Sequence, residues 1–443
     1  MISAEQNELM TRVGPGTPAG ALLRNYWQPV ALAEELAGIR PVKAVRVLGQ
    51  DLVLFCDESG RYGLLDRACP HRGADLAYGR REDGGLRCAF HGWLFGVDGR
   101  CLDTPAEPEG SRMCEQIRQR AYPVVEKSGV LFAYLGAGEP PAFPGFDCFV
   151  APGTHTFAFK GFLECNWLQA VEVGIDPAHA SFLHRFSEDE DPAAGYGRQF
   201  RGASADSQMP MTRVLREHAR PEIRVERTGY GMRLFALRRL SEAQMHVRVT
   251  NLLFPQAIVI PMSAEMTITQ WHVPVDDTSS YWYAIFTSFG APVDQAGMRA
   301  QRLALYQLPD YKPRVGRANH WGFDAEEQRT ATYTGMGHDI NVHDQWACES
   351  PGSITDRTRE NLGGTDKGIV LYRRLLGDAI RGCAAGGPAP MSPDAQSART
   401  LTGPPAIDGI GPIASWNEYW KECDARRRRE CAWASPGAAG RAA

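Results

Sequence analysis

The sequence has no long uninterrupted apolar run. No window approaches the roughly eighteen consecutive apolar residues that a membrane-spanning helix needs. The first residues, MISAEQNELMTRVGPGTP, also lack the basic and then apolar layout of a secretory signal peptide. We therefore expect a protein that stays in the cytoplasm and has no membrane partner.

An excess of basic charge is missing too. The formal net charge is −4 and the pI is near 6.3, so no positive field attracts nucleic acid. The run Arg426 to Arg429 is short and close to a terminus, which is typical of a solvated, mobile end. We expect no nucleic-acid partner.

A disulfide framework is not expected either. The eleven cysteines follow mostly irregular spacing, and in a reducing compartment they are better explained as thiols or metal ligands. The chain has no internal repeat. Its 443 residues exceed what one ordinary core holds, which favours two domains, one of them large.

The order of helical and β patterns along the sequence predicts an α+β fold. Residues 1–42 look helical, and 43–148 carry short β runs broken by Gly and Asp turns, typical of a small antiparallel domain. After a proline-rich linker at 136–146, residues 149–382 return to β runs, with helical periodicity at 294–308 and 366–380. Residues 383–443 look like an extended C-terminal segment with a terminal helix and tail.

One pair of short motifs carries specific chemistry. Cys69-Pro-His71 and Cys88-Ala-Phe-His91 form the pattern C-x-H-x16-C-x2-H. Two loops that each supply a thiolate and an imidazole suit a [2Fe–2S] cluster whose irons are held by two cysteines and two histidines. A Cys2His2 zinc site is the alternative, but zinc sites usually pair the cysteines in one half and the histidines in the other.

A second constellation lies between residues 166 and 190. Glu172, Asp176 and His179 are spaced four and three apart, so they share one helical face. His184 lies five residues beyond His179, and both can reach one metal only if the helix ends, kinks or bulges between them. Two imidazoles and a carboxylate form the facial triad of non-haem Fe(II) oxygenases. The alternative is a surface helix with two chance histidines.

Both segments resemble the α subunit of the Rieske aromatic-ring oxygenases, and most closely the group of phthalate dioxygenases and aryl O-demethylases. The resemblance covers roughly residues 1–380. It implies an N-terminal Rieske β domain, a helix-grip-like catalytic domain and a mononuclear Fe(II). It also implies a distant third iron ligand, which falls on Asp344 in the segment DQWACESPGSITDR. Asp339 is the reserve candidate, and His343 could support the site from behind.

The resemblance further implies a head-to-tail homotrimer or a stacked hexamer. Asp176 would bridge His179 of its own chain and His91 of the partner subunit, although it could simply cap a helix before Pro177. Asn166 would lie close to the iron, or it could be a structural side chain.

The implied reaction takes electrons from NAD(P)H through a reductase, with or without a ferredoxin, and uses O2 to oxidise an aromatic substrate. The outcome is cis-dihydroxylation of an aryl carboxylate or O-demethylation of a methoxy-arene, such as phthalate- or lignin-derived compounds. Arg248 is a candidate to hold a substrate carboxylate; the alternatives are a buried structural arginine or an exposed strand position. The rival function is that of a Rieske electron-transfer protein whose second domain is not catalytic.

Overall fold

The computed structural model describes residues 2–189 and 211–434. An N-terminal part of small antiparallel sheets is followed by one large antiparallel sheet with helices packed on it. This is the predicted α+β organisation. None of the helices in the described ranges is both long enough and apolar enough to cross a membrane.

The N-terminal part contains three helices and eleven strands. They are α1 (Ala4–Thr11), α2 (Pro18–Arg24), β1 (Gln28–Leu32), β2 (Val42–Val47), β3 (Gln50–Cys56), β4 (Tyr62–Asp66), β5 (Arg80–Glu82), β6 (Gly85–Arg87), β7 (Leu94–Phe95), β8 (Cys101–Asp103), α3 (Met113–Gln116), β9 (Ala121–Tyr122), β10 (Val124–Lys127) and β11 (Val130–Ala133). The sheet orders are β2–β3–β4–β9, β5–β6–β7–β8 and β1–β11–β10.

The first 42 residues are helical only in part. Helices α1 and α2 end at Arg24, and the next five-residue run, Gln28–Leu32, is buried throughout. A fully buried run of that length packs as a strand, and β1 pairs with β11. The prediction of one helical segment over 1–42 is therefore wrong beyond residue 24.

In the second part, residues 145–189 and 211–434 contain ten helices and twelve strands. They are β12 (Gly145–Phe146), α4 (Asp147–Val150), β13 (Thr156–Leu163), α5 (Trp167–Gly174), α6 (Ala180–Leu183), α7 (Met211–Glu217), β14 (Glu222–Thr228), β15 (Gly231–Arg239), β16 (Gln244–Leu253), β17 (Ala257–Pro261), β18 (Met266–Pro274), β19 (Ser280–Ser288), α8 (Gln295–Leu305), β20 (Tyr306–Gln307), β21 (Lys312–Pro313), α9 (Ala325–Thr330), α10 (Ile340–Glu349), α11 (Lys367–Ala384), α12 (Ala395–Thr400), β22 (Thr402–Gly403), β23 (Ile407–Pro412) and α13 (Trp416–Glu430).

The large sheet has the order β13–β19–β18–β17–β16–β15–β14, and β23 pairs with the first half of β16. Helix α13 packs behind this sheet, where Phe235, Val247, Val249 and Trp420 form a separate apolar cluster. Side chains alternate between the two faces of a strand, so the even-numbered residues of β16 face the opposite side.

The C-terminal segment differs from the prediction in two ways. Residues 402–412 are not simply an extended surface stretch, because they form β22 and β23. The arginine run is not a solvated end, because it lies in α13: Arg427 is buried and donates to the Ala406 carbonyl at 3.0 Å. Arg428 donates to both Asp147 oxygens, at 2.7 and 2.8 Å.

Candidate metal centres and substrate cavity

The two cysteine–histidine loops share one backbone hydrogen-bond scheme. In each, the cysteine amide donates to the carbonyl five residues on, and the glycine four residues on donates back to the cysteine carbonyl. The bonds are Cys69 to Ala74 (2.8 Å), Gly73 to Cys69 (2.8 Å), Cys88 to Trp93 (2.8 Å) and Gly92 to Cys88 (3.0 Å). Both glycines have positive φ, +75° at Gly73 and +76° at Gly92, which an L side chain adopts only with strain.

These loops bring the four predicted cluster ligands together. The rings of His71 and His91 lie 4.5 Å apart between centroids, and His71 stacks on Trp93 at 4.4 Å. Burial raises the pKa of the Cys69 thiol to about 11, while hydrogen bonds from the amides of His71 and Arg72 lower it. Amides aimed at sulfur stabilise a thiolate bound to iron, so the donor set fits a [2Fe–2S] cluster.

The two histidines of the second constellation flank one short helix. Helix α5 ends at Gly174, and the four residues of α6 separate His179 from His184. Because the helix is broken here, His179 and His184 are not held on different sides of one regular helix, where they could not reach the same metal. The Nε2 atoms of His179 and His184 lie 3.3 Å apart.

Asp344 on α10 completes a triangle of donors. Its Oδ1 lies 3.2 Å from Nε2 of His184 and 3.7 Å from Nε2 of His179. Donors that bind one metal at about 2.1 Å and right angles lie about 3 Å from each other, so the three groups could hold one ion. Burial opposes ionisation of Asp344, but His184 and His179 hold the pKa of its carboxyl below its usual range.

His343 sets the tautomer of His184. Nε2 of His343 donates to the Gly337 carbonyl at 2.8 Å, so its Nδ1 carries no proton and accepts. That Nδ1 lies 3.4 Å from Nδ1 of His184. His184 then donates from Nδ1 and presents the Nε2 lone pair to the triangle. Burial, with His184 nearby, lowers the pKa of His343 to about 4.

Two other acidic residues of the predicted constellations have different roles. Glu172 does not share a face with Asp176, because α5 ends between them; its oxygens accept from Arg357 (2.8 Å) and Arg373 (2.5 Å) in the core. Asp339, the reserve candidate, caps α10 and pairs with Arg302 at 2.9 Å. Neither belongs to the donor triangle.

Asn166 has a structural position. It is fully buried, its Oδ1 caps α5 through the Leu168 amide at 3.1 Å, and its Nδ2 donates to the carbonyls of Thr11 (2.9 Å) and Asp277 (2.7 Å). It is not among the residues that line the cavity described below. The expected place beside the iron is therefore not what the structure shows.

Asp176 lies at the edge of the triangle. Its Oδ1 accepts from the Ala178 amide at 2.8 Å, as a capping residue does, and its Oδ2 lies 3.9 Å from Nδ1 of His179. That Nδ1 is buried and has no hydrogen-bond partner among residues 2–189 and 211–434. The capping and bridging roles are thus compatible, because each uses a different oxygen.

A cavity of about 210 Å³ opens directly onto the triangle. The sheet strands β16, β18, β19 and β23 contribute only alternate residues, as expected of one concave face. These residues are His246, Arg248 and Thr250; Ile268, Gln270 and His272; Trp282 and Phe286; and Asp408 and Ile410. A cavity of roughly 150 Å³ accepts a benzene ring, so this one has room for a single substituted ring.

Six aromatic residues of the second domain lie in four kinds of surroundings. Trp282 and Phe286 line the cavity. Phe254 and Trp271 belong to the main hydrophobic core, and Phe182 is exposed. Phe186 is buried and stacks on His338 instead.

Asp408 is a cavity residue that the sequence did not reveal. It lies on β23 and is hydrogen-bonded to Arg248, the predicted carboxylate anchor, which also lines the cavity. The sequence predicts only an extended segment here, and Gly409 and Gly411 interrupt the strand. A Cβ at either glycine would lie 2.4–2.5 Å from the ring or hydroxyl of Tyr419, so the glycines admit helix α13.

Residues 26–123 match the Rieske [2Fe-2S] domain and residues 133–427 match the family "LigXa C-terminal domain like". The oxygenase subunit of phthalate 4,5-dioxygenase from Pseudomonas putida is 36% identical over 87% of this chain and 88% of its own. The oxygenase subunit of 5,5'-dehydrodivanillate O-demethylase from Sphingobium sp. is 33% identical over 84% and 79%.

Among solved structures, an oxygenase–ferredoxin complex of carbazole 1,9a-dioxygenase is similar with a TM-score of 0.51 and 18% identity, over 86% of this chain and 96% of that one. This likeness concerns the fold. The family matches and the relatives carry the assignment of two cofactors, a [2Fe–2S] cluster and a mononuclear iron. The chain belongs to the oxygenase subunits of the Rieske aromatic-ring oxygenases, in the group of phthalate dioxygenases and O-demethylases.

Proposed function

We propose that this oxygenase subunit oxidises an aryl carboxylate at an iron held by His179, His184 and Asp344. The observation that carries the proposal is the donor triangle, with edges of 3.2, 3.3 and 3.7 Å, at the floor of a cavity sized for one ring. Bound there, iron supplies the activation of O2. The chain's own residues position the ligands and the substrate.

Cys69, His71, Cys88 and His91 are the proposed ligands of the cluster, which stores electrons received from a reductase that draws on NAD(P)H, with or without a ferredoxin. Two neutral imidazoles in place of two thiolates remove negative charge and raise the potential of such a cluster. The solved carbazole 1,9a-dioxygenase complex, which contains a ferredoxin, supports a protein electron donor that docks on this class of subunit.

Exposed apolar side chains support a head-to-tail homotrimer. Tyr78 and Phe90, 74% and 56% exposed, lie beside the cluster loops. Phe182 and Tyr333, 46% and 53% exposed, form another apolar pair beside α6, with ring centroids 5.7 Å apart. Two different patches that meet head to tail close a ring. Sedimentation equilibrium of the protein loaded with its [2Fe–2S] cluster and iron (the loaded protein) tests the trimer, or a stacked hexamer, against a monomer.

Asp176 is the proposed bridge within that trimer. Its Oδ2 lies 3.9 Å from Nδ1 of His179, which has no hydrogen-bond partner in the described part of the chain. An ionised carboxylate that accepts from His179 and from His91 of the partner subunit fixes both tautomers. Electrons then cross the interface through a hydrogen-bonded path.

The cavity wall supports an aromatic acid as substrate. Ile260, Ile268, Trp282 and Phe286 form an apolar bed, and Arg248 lies on the β16 side. An arginine suits a carboxylate because its planar N–H groups match the two oxygens. These apolar side chains would contact the substrate ring, while Arg248 binds its carboxylate and orients the ring toward the donor triangle.

Product analysis tests the function. The loaded protein is supplied with a generic reductase, NADH and O2, together with benzoates, phthalates and methoxy-substituted aryl acids. We expect oxygenated product from at least one acid, and formaldehyde or a cis-diol identifies which bond is attacked. Electron transfer to an acceptor protein with no organic product in any reaction would favour the electron-transfer alternative.

A further inference from the structure

The polar wall of the cavity is built by two neighbouring strands. Arg248 on β16 and Asp408 on β23 are direct cross-strand partners, and His246 lies two residues before Arg248 on the same face. Among the described residues that line the cavity, Arg248 is the one lysine or arginine. A substrate anion in this cavity therefore meets Arg248 and Asp408 together.

Asp408 uses both carboxylate oxygens inside this wall. Its Oδ1 accepts from Nε2 of His246 at 2.6 Å, and its Oδ2 accepts from Nη1 of Arg248. Burial opposes its ionisation, but His246 and Arg248 lower the pKa of Asp408 to about 2. Burial also lowers the pKa of His246, so at neutral pH the imidazole carries no charge and Asp408 carries a full one.

A second guanidinium group lies behind the wall. Arg238 on β15 is 1% exposed and is the cross-strand partner of His246. Its Nη2 donates to Ser181 Oγ at 2.9 Å, whereas its Nε and Nη1 are buried and have no hydrogen-bond partner among the residues that the structure describes. Ser181 belongs to α6, so this cation connects the polar wall with the helix between the two iron-binding histidines.

The polar wall and the Arg238 side chain behind it thus carry two positive charges, on Arg238 and Arg248, and one negative charge, on Asp408. In a buried site a single unbalanced positive charge attracts one anion, and a second anion leaves a negative excess that water does not screen. Because Asp408 lies directly across from Arg248, a second substrate carboxylate close to Arg248 also meets a like charge.

We propose that Asp408 is a specificity-determining residue that limits the substrate to one carboxylate. The cavity takes an aryl monocarboxylate and disfavours an aromatic dicarboxylate. This inference rests on the proposed function, since it specifies the substrate of the same site, and it separates this chain from its relative named for phthalate.

Binding to the loaded protein, measured by isothermal titration calorimetry, tests the charge limit. Phthalate and its monomethyl ester have similar ortho bulk and differ by one charge. We expect the monoester to bind at least about tenfold more tightly than phthalate, because each 1.4 kcal/mol of charge interaction corresponds to tenfold. In D408N, which keeps the shape but removes the charge, the phthalate Kd should fall by at least about tenfold.

Benzamide and R248Q supply the controls. Benzamide carries no charge, so its Kd should change by less than about twofold in D408N, and R248Q should weaken the monoester but not benzamide. Equal affinity of the wild type for phthalate and the monoester would overturn the inference, as would an unchanged ratio in a folded D408N. If D408N fails to fold, the wild-type comparison still decides.

Turnover separates this inference from the proposed function. Oxidation of monoacids, together with binding of phthalate as tight as that of the monoester, rejects the charge limit alone. Binding that follows the charge limit, with no product from any acid, rejects the proposed oxidation alone.

Discussion

The Nδ1 atoms of His184 and His343 lie 3.4 Å apart, and the other nitrogen of His343 is committed to the Gly337 carbonyl at 2.8 Å. One backbone carbonyl therefore selects the tautomer of an imidazole in the proposed iron site through an intervening histidine. The sequence suggested His343 as a supporting residue, but only the structure identifies what it supports.

Replacing His343 should weaken the iron site and spare the cluster. In His343→Leu, His184 loses the acceptor that orients it, and loss of such a partner costs about 10–100-fold in metal affinity. Iron titration of protein stripped of its mononuclear iron measures this effect, with the cluster absorbance as an internal reference. His338→Leu, a change at an exposed histidine five residues earlier, should bind iron as the wild type does. Equal iron affinity in both variants would refute this role of His343.

Asp176→Asn should slow electron transfer without emptying either centre. The amide keeps the cap to Ala178 through its oxygen, but it cannot accept from two imidazoles as an ionised carboxylate does. We expect unchanged iron and sulfide content and a rate of cluster re-oxidation, in a single turnover with substrate and O2, that falls by about 10–100-fold. Stopped-flow absorbance measures that rate; wild-type kinetics in the variant would exclude the bridge.

Glu172 should matter for stability and not for metal binding. It is the carboxylate shared by Arg357 and Arg373 in the core. Glu172→Ala therefore leaves the buried Arg357 guanidinium without its carboxylate partner, whereas Arg373 keeps its pair with Glu360. Removal of one partner of a buried ion pair costs about 3–5 kcal/mol. Urea unfolding measures the loss of free energy of unfolding.

The matched control for Glu172 is Glu326→Ala. Glu326 pairs with Arg329 on the surface, where both side chains are about 70% exposed, and such pairs contribute about 0–1 kcal/mol. A similar loss of stability in the two variants would show that the Glu172 cluster is not a buried ion-pair network.

His272 should make stability fall in acid. It is 4% exposed, neither ring nitrogen has a hydrogen-bond partner within the described ranges, and burial lowers its pKa to about 4. The unfolded chain binds this proton near pH 6.5 and the folded chain does not, so stability is full above pH 6.5 and declines as pH falls toward 4. Between pH 7 and 4.5 the wild type should lose about 2–3 kcal/mol more than His272→Gln. Parallel pH profiles of the two proteins would contradict this.

The sequence predicted most of the elements that surround the site. The β runs from Glu222 to Ser288 appear as β14 to β19, and the helical periods near 300 and 370 as α8 and α11. These β runs and helical periods are visible in the sequence because buried and exposed residues alternate with the period of each element. The spacing of the cysteines and histidines predicted two loops because ligand chemistry demands that spacing.

What the sequence could not show depends on contacts between distant residues. Asp408 reaches the cavity because a glycine-rich strand pairs with β16 more than 150 residues earlier in the chain. Asn166 begins the segment that carries the two histidines, yet its side chain donates hydrogen bonds to the backbone carbonyls of Thr11 and Asp277. Similarly, whether Glu172 faces a metal or the core depends on where α5 ends, which spacing alone leaves open.

We propose that electrons stored at the sulfur-bridged cluster are used at a separate iron bound by His179, His184 and Asp344. Mössbauer spectroscopy of the fully reconstituted, iron-57-labelled protein tests it most directly, with His179→Ala compared with the wild type. We predict a third, high-spin ferrous environment beside the cluster pair in the wild type, and its loss in His179→Ala while the cluster signal stays unchanged. A wild-type spectrum that contains the cluster pair alone would contradict the account.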